Sequence, residues 1–169
     1  MTIQDRMGRF VEQMYASGVA RPGDLRGCSI KEIAKVERKY SIVLPLSYRM
    51  FLCQMGHSAG KLGNCGEFDL SYIDALKLTE QEFNMWKRIR RKNPNYLSPN
   101  FPNHGLIFCV RLCHPCYWLI ICEGQDDSPV IRFDYDFEPV RFEKTQESLL
   151  GFLEKLCRDA EHWIRLGKL

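Results

Sequence analysis

Between residues 29 and 60 the apolar positions follow a helical period, break, and resume. Ile30, Ile33, Ala34, Val36 and Tyr40 recur at three- and four-residue spacing with Glu37, beside a face of Lys31, Lys35, Arg38 and Lys39, which is the pattern of an amphipathic helix. Ser29 followed by Glu32 fits a capping box, in which the serine oxygen accepts a backbone N–H and the glutamate reaches back to the cap. Leu44-Pro45 interrupts the pattern, and Pro45 suits the first turn of a second helix carrying Leu46, Met50, Phe51, Cys53 and Met55. Gly56 then stands where a left-handed residue would end that helix. The punctuation predicts a helix, a link, a second helix and a stop.

The same reading extends along the chain. Residues 3–17 place Ile3, Met7, Phe10, Val11 and Met14 on one side of a helix, which the turn residues Arg21-Pro22-Gly23-Asp24 join to the rest as an appendage. Four glycines between 56 and 66 mark a loop. Thr79 with Glu82 reads as another capping box, opening a helix that Asn93-Pro94 stops. The period then changes to short aromatic and β-branched runs at 106–112, 117–122, 130–135 and 140–142, an antiparallel meander. From Thr145 a broad apolar stripe of Leu149, Leu150, Leu153, Leu156, Cys157, Ala160, Trp163 and Ile164 predicts a final helix. Helices, then strands, then a helix give an α+β fold with a largely antiparallel sheet. Residues 1–26 form the N-terminal helix and linker, 27–169 the main domain, together one globular unit.

Composition narrows the function. The chain has 169 residues, 45% of them apolar and 27% charged, enough for one well-buried core. No apolar run reaches membrane-spanning length, and the first residues lack the continuous apolar stretch of a signal peptide, so a cytoplasmic protein without membrane attachment is expected. Its eight cysteines are then expected as reduced thiols, with Cys53, Cys122 and Cys157 acting as small hydrophobes. The net charge of +3 is uneven: residues 29–66 hold six basic and two acidic side chains, and 105–169 hold eight and eleven. Neither half has the concentrated basic footprint of a nucleic-acid binder.

Ile33, Val36, Glu37, Ile42, Leu44, Pro45, Tyr48, Arg49, Phe51, Leu52 and Gly56 stand in an order that resembles the SUKH superfamily, which includes a fungal cell-wall synthesis regulator and many bacterial immunity proteins. Met55-Gly56 followed by Ala59-Gly60 is similar to a bacterial subgroup. His114 to Trp118, Pro129-Val130 and Phe152-Leu153 also fall in the family's order, so the resemblance spans about Gly27 to Leu156. It implies a mixed sheet flanked by helices and a role in binding another protein, in bacteria a cognate toxin, often a nuclease. Glu37, Leu44, Pro45, Tyr48, Phe51, Leu52 and Gly56 would be structural members of the motif. Inhibitors of basic nucleases are commonly acidic, whereas this chain is net positive. Either the toxin is not strongly basic, or the acidic late residues Asp126, Asp127, Asp134, Asp136 and Glu138 face it.

Other chemistry is weaker. Cys109, Cys113, Cys116 and Cys122 with His114 suggest a zinc knuckle, but along a strand Cys109 lies about 13 Å from Cys113, and no second closely spaced pair completes four ligands. Cys113-His-Pro-Cys116 also lacks the helix N-terminus that activates a redox thiol. Lys87, Arg88, Arg90, Arg91 and Lys92 favour a helix C-terminus, the plainer account than nucleic-acid contact. The four histidines are scattered and no nucleophile elbow or phosphate loop is present. The expectation is a non-enzymatic, cofactor-free monomer that neutralises a toxin. The alternatives are a protein-binding scaffold or regulator without a toxin and, further off, a zinc or nucleic-acid module. Tyr117, Trp118, Asp134 and Asp136 are the candidate partner-binding residues, since the late hairpins combine aromatic anchors with steering charges.

Overall fold

A computed structural model describes residues 1–63, 75–95, 102, 104–111, 116–134 and 141–169. Its first helix, α1 (Ile3–Ala16), is opened by a capping box that the sequence reading passed over: the Asp5 N–H donates to Thr2 Oγ1 at 3.1 Å, and the Thr2 N–H to the Asp5 carboxylate at 2.9 Å. A two-residue strand β1 (Leu25–Arg26) leads to α2 (Ile30–Tyr40), α3 (Leu46–Met55), β2 (Ser58–Ala59) and a short 3-10 turn at Gly60–Gly63. After α4 (Ala75–Lys92) come β3 (Gly105–Arg111), β4 (Cys116–Ile121), β5 (Val130–Asp134), β6 (Arg141–Gln146) and α5 (Leu149–Arg165). β1 and β2 pair antiparallel, and β3 to β6 form an antiparallel meander in chain order. The fold is α+β.

One face of the sheet carries the main cluster, while Ile107 and Leu119 on the other face are buried as well. Leu106 pairs with Ile120 and Cys109 with Trp118, and a register shift between Ile107 and Cys109 lets both Phe108 and Cys109 enter the same buried cluster. Such a bulge places two residues of one strand against one of its neighbour. Tyr48 stacks on Phe51 at 5.9 Å and meets Phe108 edge-on at 6.1 Å, while Phe108 meets Phe152 at 5.5 Å. These rings tie α3, β3 and α5 together in the geometry aromatic pairs prefer. Met7, Phe10 and Met14 of α1 lie in the same cluster. Arg6 joins α1 to the far end of the chain through Glu154 at 3.1 Å and Asp127 at 3.9 Å, so α1 is built into the core rather than appended to it.

The helical pair departs from its sequence reading at several points. Ile30 is 79% exposed, because it precedes the turn whose Ile33, Val36 and Tyr40 face the core. Pro45 is the residue before α3, not its first turn. It has no side-chain cap to offer, and the Leu46 and Ser47 N–H groups donate to the carbonyls of Gln125 and Asp126 at 3.0 and 2.9 Å. Beside them Val43 forms a parallel bridge with Glu123, and the Gly124 N–H donates to the Val43 carbonyl. Gly56 has ordinary right-handed geometry, φ −65°. Glycine is required there by crowding, since a Cβ would lie 2.4 Å from Cys28 Sγ. At Gly27 a Cβ would fall 1.7 Å from the Cys53 carbonyl oxygen, so this backbone can lie against the end of α3, where the Cys28 N–H donates to the Leu52 carbonyl at 2.7 Å. Cys53 itself is exposed, because α3 buries Tyr48, Phe51, Leu52 and Met55.

Two boundaries also move. α4 begins at Ala75, so Thr79 lies inside the helix; Ala75-Leu-Lys-Leu78 are good helix formers that carry it upstream. Thr145 is a strand residue, its hydroxyl donating to the Val130 carbonyl at 3.3 Å. Pairing with β5 holds the chain extended through Gln146, and Ser148 then caps α5 by accepting from the Gly151 N–H at 3.0 Å.

Candidate functional site

At the end of α2, Glu37 acts twice. Its carbonyl accepts from the Ser41 and Ile42 N–H groups, Ser41 being left-handed at φ 53°. Its carboxylate oxygen Oε1 reaches across the link to accept from the Leu44 N–H at 2.8 Å and from Arg49 Nε and Nη2 at 2.9 and 2.7 Å. The Glu37 side chain is 14% exposed and that of Arg49 43%. Charge-assisted bonds of this kind are the strong ones, and here they fix the angle between α2 and α3. Leu44, Tyr48, Phe51 and Leu52 are all buried beneath it.

The outer side of the same helix forms a cleft of about 220 Å³ with α4 and the residue following Gly56. Glu32, Lys35, Val36 and Lys39 line it from α2, Leu76, Lys77 and Glu80 from α4, and His57 from the loop. Positions 32, 35, 36 and 39 fall on one helical stripe. The Glu32 carboxylate accepts from the Ser29 N–H at 2.7 Å and meets His57 Nε2 at 3.1 Å. The Ser29 backbone bond, then the Ser29 hydroxyl, hold its pKa below the ordinary glutamate value. Lys39 pairs with Glu80, which raises the lysine's pKa. The Lys39 and Lys87 ammonium groups each lie 5.1 Å from the centre of the Tyr40 ring. Lys35 makes no ion pair among the described residues. In the sequence Lys35 and Lys39 read only as the basic face of an amphipathic helix; the regular spacing of 32, 35 and 39 was the available signal.

Of the aromatic and acidic candidates of the late hairpins, Tyr117, Trp118 and Asp134 fall among the described residues. Tyr117 and Trp118 are successive residues of β4, so their side chains take opposite faces of the sheet. Trp118 is half-buried against Phe152, ring centres 5.9 Å apart. Tyr117 pairs in register with Val110 and Phe133. Asp134 ends β5 opposite Cys116 and Arg141, while Asp136 and Glu138 lie outside the described residues. Asp127 does structural work: Oδ1 accepts from the Ser128 and Leu149 N–H groups at 2.9 and 3.1 Å, holding the first turn of α5.

Cys109 pairs with Trp118, and Cys116 with Arg111; Cys116 Sγ accepts from Arg132 Nε at 2.9 Å. Cys65, Cys113 and His114 lie outside the described residues, among which no three metal-ligating side chains come together. Burial pushes the Cys122 and Cys157 thiols up, with Glu37 adding to the effect at Cys122. No described helix is long and apolar enough to cross a membrane.

No curated protein matches the chain. A family model does, across residues 27–164, a span that starts at the glycine packed on α3, takes in the Glu37 lock and the sheet, and ends in the last turn of α5. The chain therefore belongs to the SMI1 / KNR4 family (SUKH-1).

Proposed function

We propose that this chain is a non-enzymatic immunity protein that binds and neutralises a cognate bacterial toxin domain, of which a nuclease is one kind, in the cytoplasm of the producing cell. The observation that carries the reading is family membership over residues 27–164, in a superfamily whose bacterial members are typically such inhibitors. The build of the molecule supports it: the helical pair is locked by Glu37 and Arg49 and the sheet is welded to α3 and α5 through aromatic rings, which gives a rigid body suited to presenting a preformed surface.

The test is co-expression with the C-terminal domain of a toxin encoded beside this gene. Growth should be rescued and the two chains should co-purify as a stable complex. Neither rescue nor complex would overturn the reading and leave a scaffold or regulator that works without a toxin, the second role known in this superfamily.

A further inference from the structure

Helix α2 turns Ile33, Val36 and Tyr40 to the core and Glu32 and Lys39 toward α4. At about 100° per residue the arc that remains holds Ile30, Ala34, Arg38, Lys31 and Lys35, all exposed except the half-buried Ala34. The make-up of this face works against the helix that carries it. Lys31 stands in the first turn, where the helix dipole favours an anion. Lys31, Lys35 and Arg38 follow one another at four- and three-residue spacing, where like charges repel, and Ile30 leaves a large apolar side chain in water beside them. Nothing within the helix relieves this. Its two carboxylates are engaged, Glu32 by Ser29 and His57, Glu37 by Leu44 and Arg49. Arg38 Nε donates to the Ala34 carbonyl at 3.2 Å, and none of the three cations meets a carboxylate among the described residues. Local choices that cost stability without a compensating contact in the fold mark functional surfaces.

We infer that this outer face of α2 is a docking site for an acidic amphipathic helix of a partner protein. The three cations form a lane about 10 Å long, which carboxylates at helical spacing match one for one. Ile30 and Ala34 run beside that lane, so apolar side chains flanking the carboxylates cover the isoleucine, and the small alanine lets the partner come close. A nucleic-acid strand would leave Ile30 in water. A membrane surface calls for a wide apolar face, and that of α2 is already buried in the core. Complementary charges of this kind speed encounter and fix register. The inference rests on α2 and holds whether or not the partner is a toxin.

The test titrates the full-length, isotope-labelled protein with a helical peptide that carries glutamates at three- and four-residue spacing beside leucines, and follows the backbone amide shifts by NMR. The shifts should concentrate at residues 30–38. Lys31→Glu should weaken binding by about tenfold and at the same time raise the melting temperature of the free protein, because it puts an anion in the first turn and four residues before Lys35. Ile30→Ser should weaken binding with little change in stability, as befits an exposed side chain. Lys155→Glu, the same change of charge on the exposed side of α5, should leave binding within about twofold, since distant surface charges are screened. The inference is overturned if the peptide leaves the α2 amides unmoved, if Lys155→Glu weakens binding as much as Lys31→Glu, or if Lys31→Glu lowers the melting temperature. Tighter binding of a single-stranded oligonucleotide or of anionic vesicles, with the same dependence on Lys31, would overturn it as well.

Discussion

Replacing Glu37 by alanine removes the acceptor of three hydrogen bonds at once. Leu44 is buried, so its N–H would be left without a partner, at about 1–3 kcal/mol. The guanidinium of Arg49 is 43% exposed and regains water when released, so loss of the pair adds only about 0.5–1 kcal/mol. The expected cost of Glu37→Ala is thus about 2–4 kcal/mol, most of it from the backbone contact. Arg49→Ala should cost about 1 kcal/mol, and Glu37→Gln, whose amide oxygen can still accept from Leu44, should fall between the two. Urea unfolding followed by far-ultraviolet circular dichroism measures all three, and the double variant gives the Glu37–Arg49 coupling directly. The reasoning fails if Glu37→Ala is no more costly than Arg49→Ala, because the Leu44 bond would then contribute nothing.

Gly27→Ala should destabilise by about 3 kcal/mol or more or prevent folding, since the clashing atom is the Cys53 carbonyl oxygen rather than a movable side chain; thermal melting reports it. In native protein a maleimide should label Cys53 rapidly and Cys122 and Cys157 only on unfolding, as mass spectrometry of digests would show, because burial of the latter two disfavours the thiolate. The Asp5 and Glu32 carboxyls should titrate below 3.8 and 4.5 respectively by NMR. Their folded pKa values are depressed, so the stability they give α1 and α2 is complete above the unfolded range and is lost as pH falls through the folded values. Midpoints at or above the ordinary values would disprove the capping bonds.

Features set by neighbours in sequence were readable in advance. The Ser29–Glu32 box needs only a four-residue window, and the meander needs only period and turns. Where a position depends on a partner far along the chain, the local pattern misleads. Pro45 reads as a helix start because nothing nearby shows that Gln125 and Asp126 supply the acceptors. Gly56 reads as a left-handed stop, while its true constraint is Cys28. Ile30 fits the periodic stripe but sits beyond the end of the surface that covers it. Of the site, the α2 side of the cleft was written as a charged stripe, whereas Lys77, Glu80 and Lys87 join it only once α4 lies against α2. Trp118 was legible as an aromatic strand residue, yet its neighbour Phe152 could not be inferred from composition.

The acceptors at the head of α3 have a consequence for how the molecule folds. Leu46 and Ser47 can surrender their N–H groups to protein only after the chain between β4 and β5 has been made and brought back to them. Until then these first N–H groups, which no helix can satisfy internally, are left to water, and they can be buried only together with the acceptors that replace it. The helical pair and the sheet are thus halves of one cooperative event, with a long loop to close before either is finished. A fragment holding only the first 63 residues should remain largely unstructured, and the full chain should unfold in a single transition.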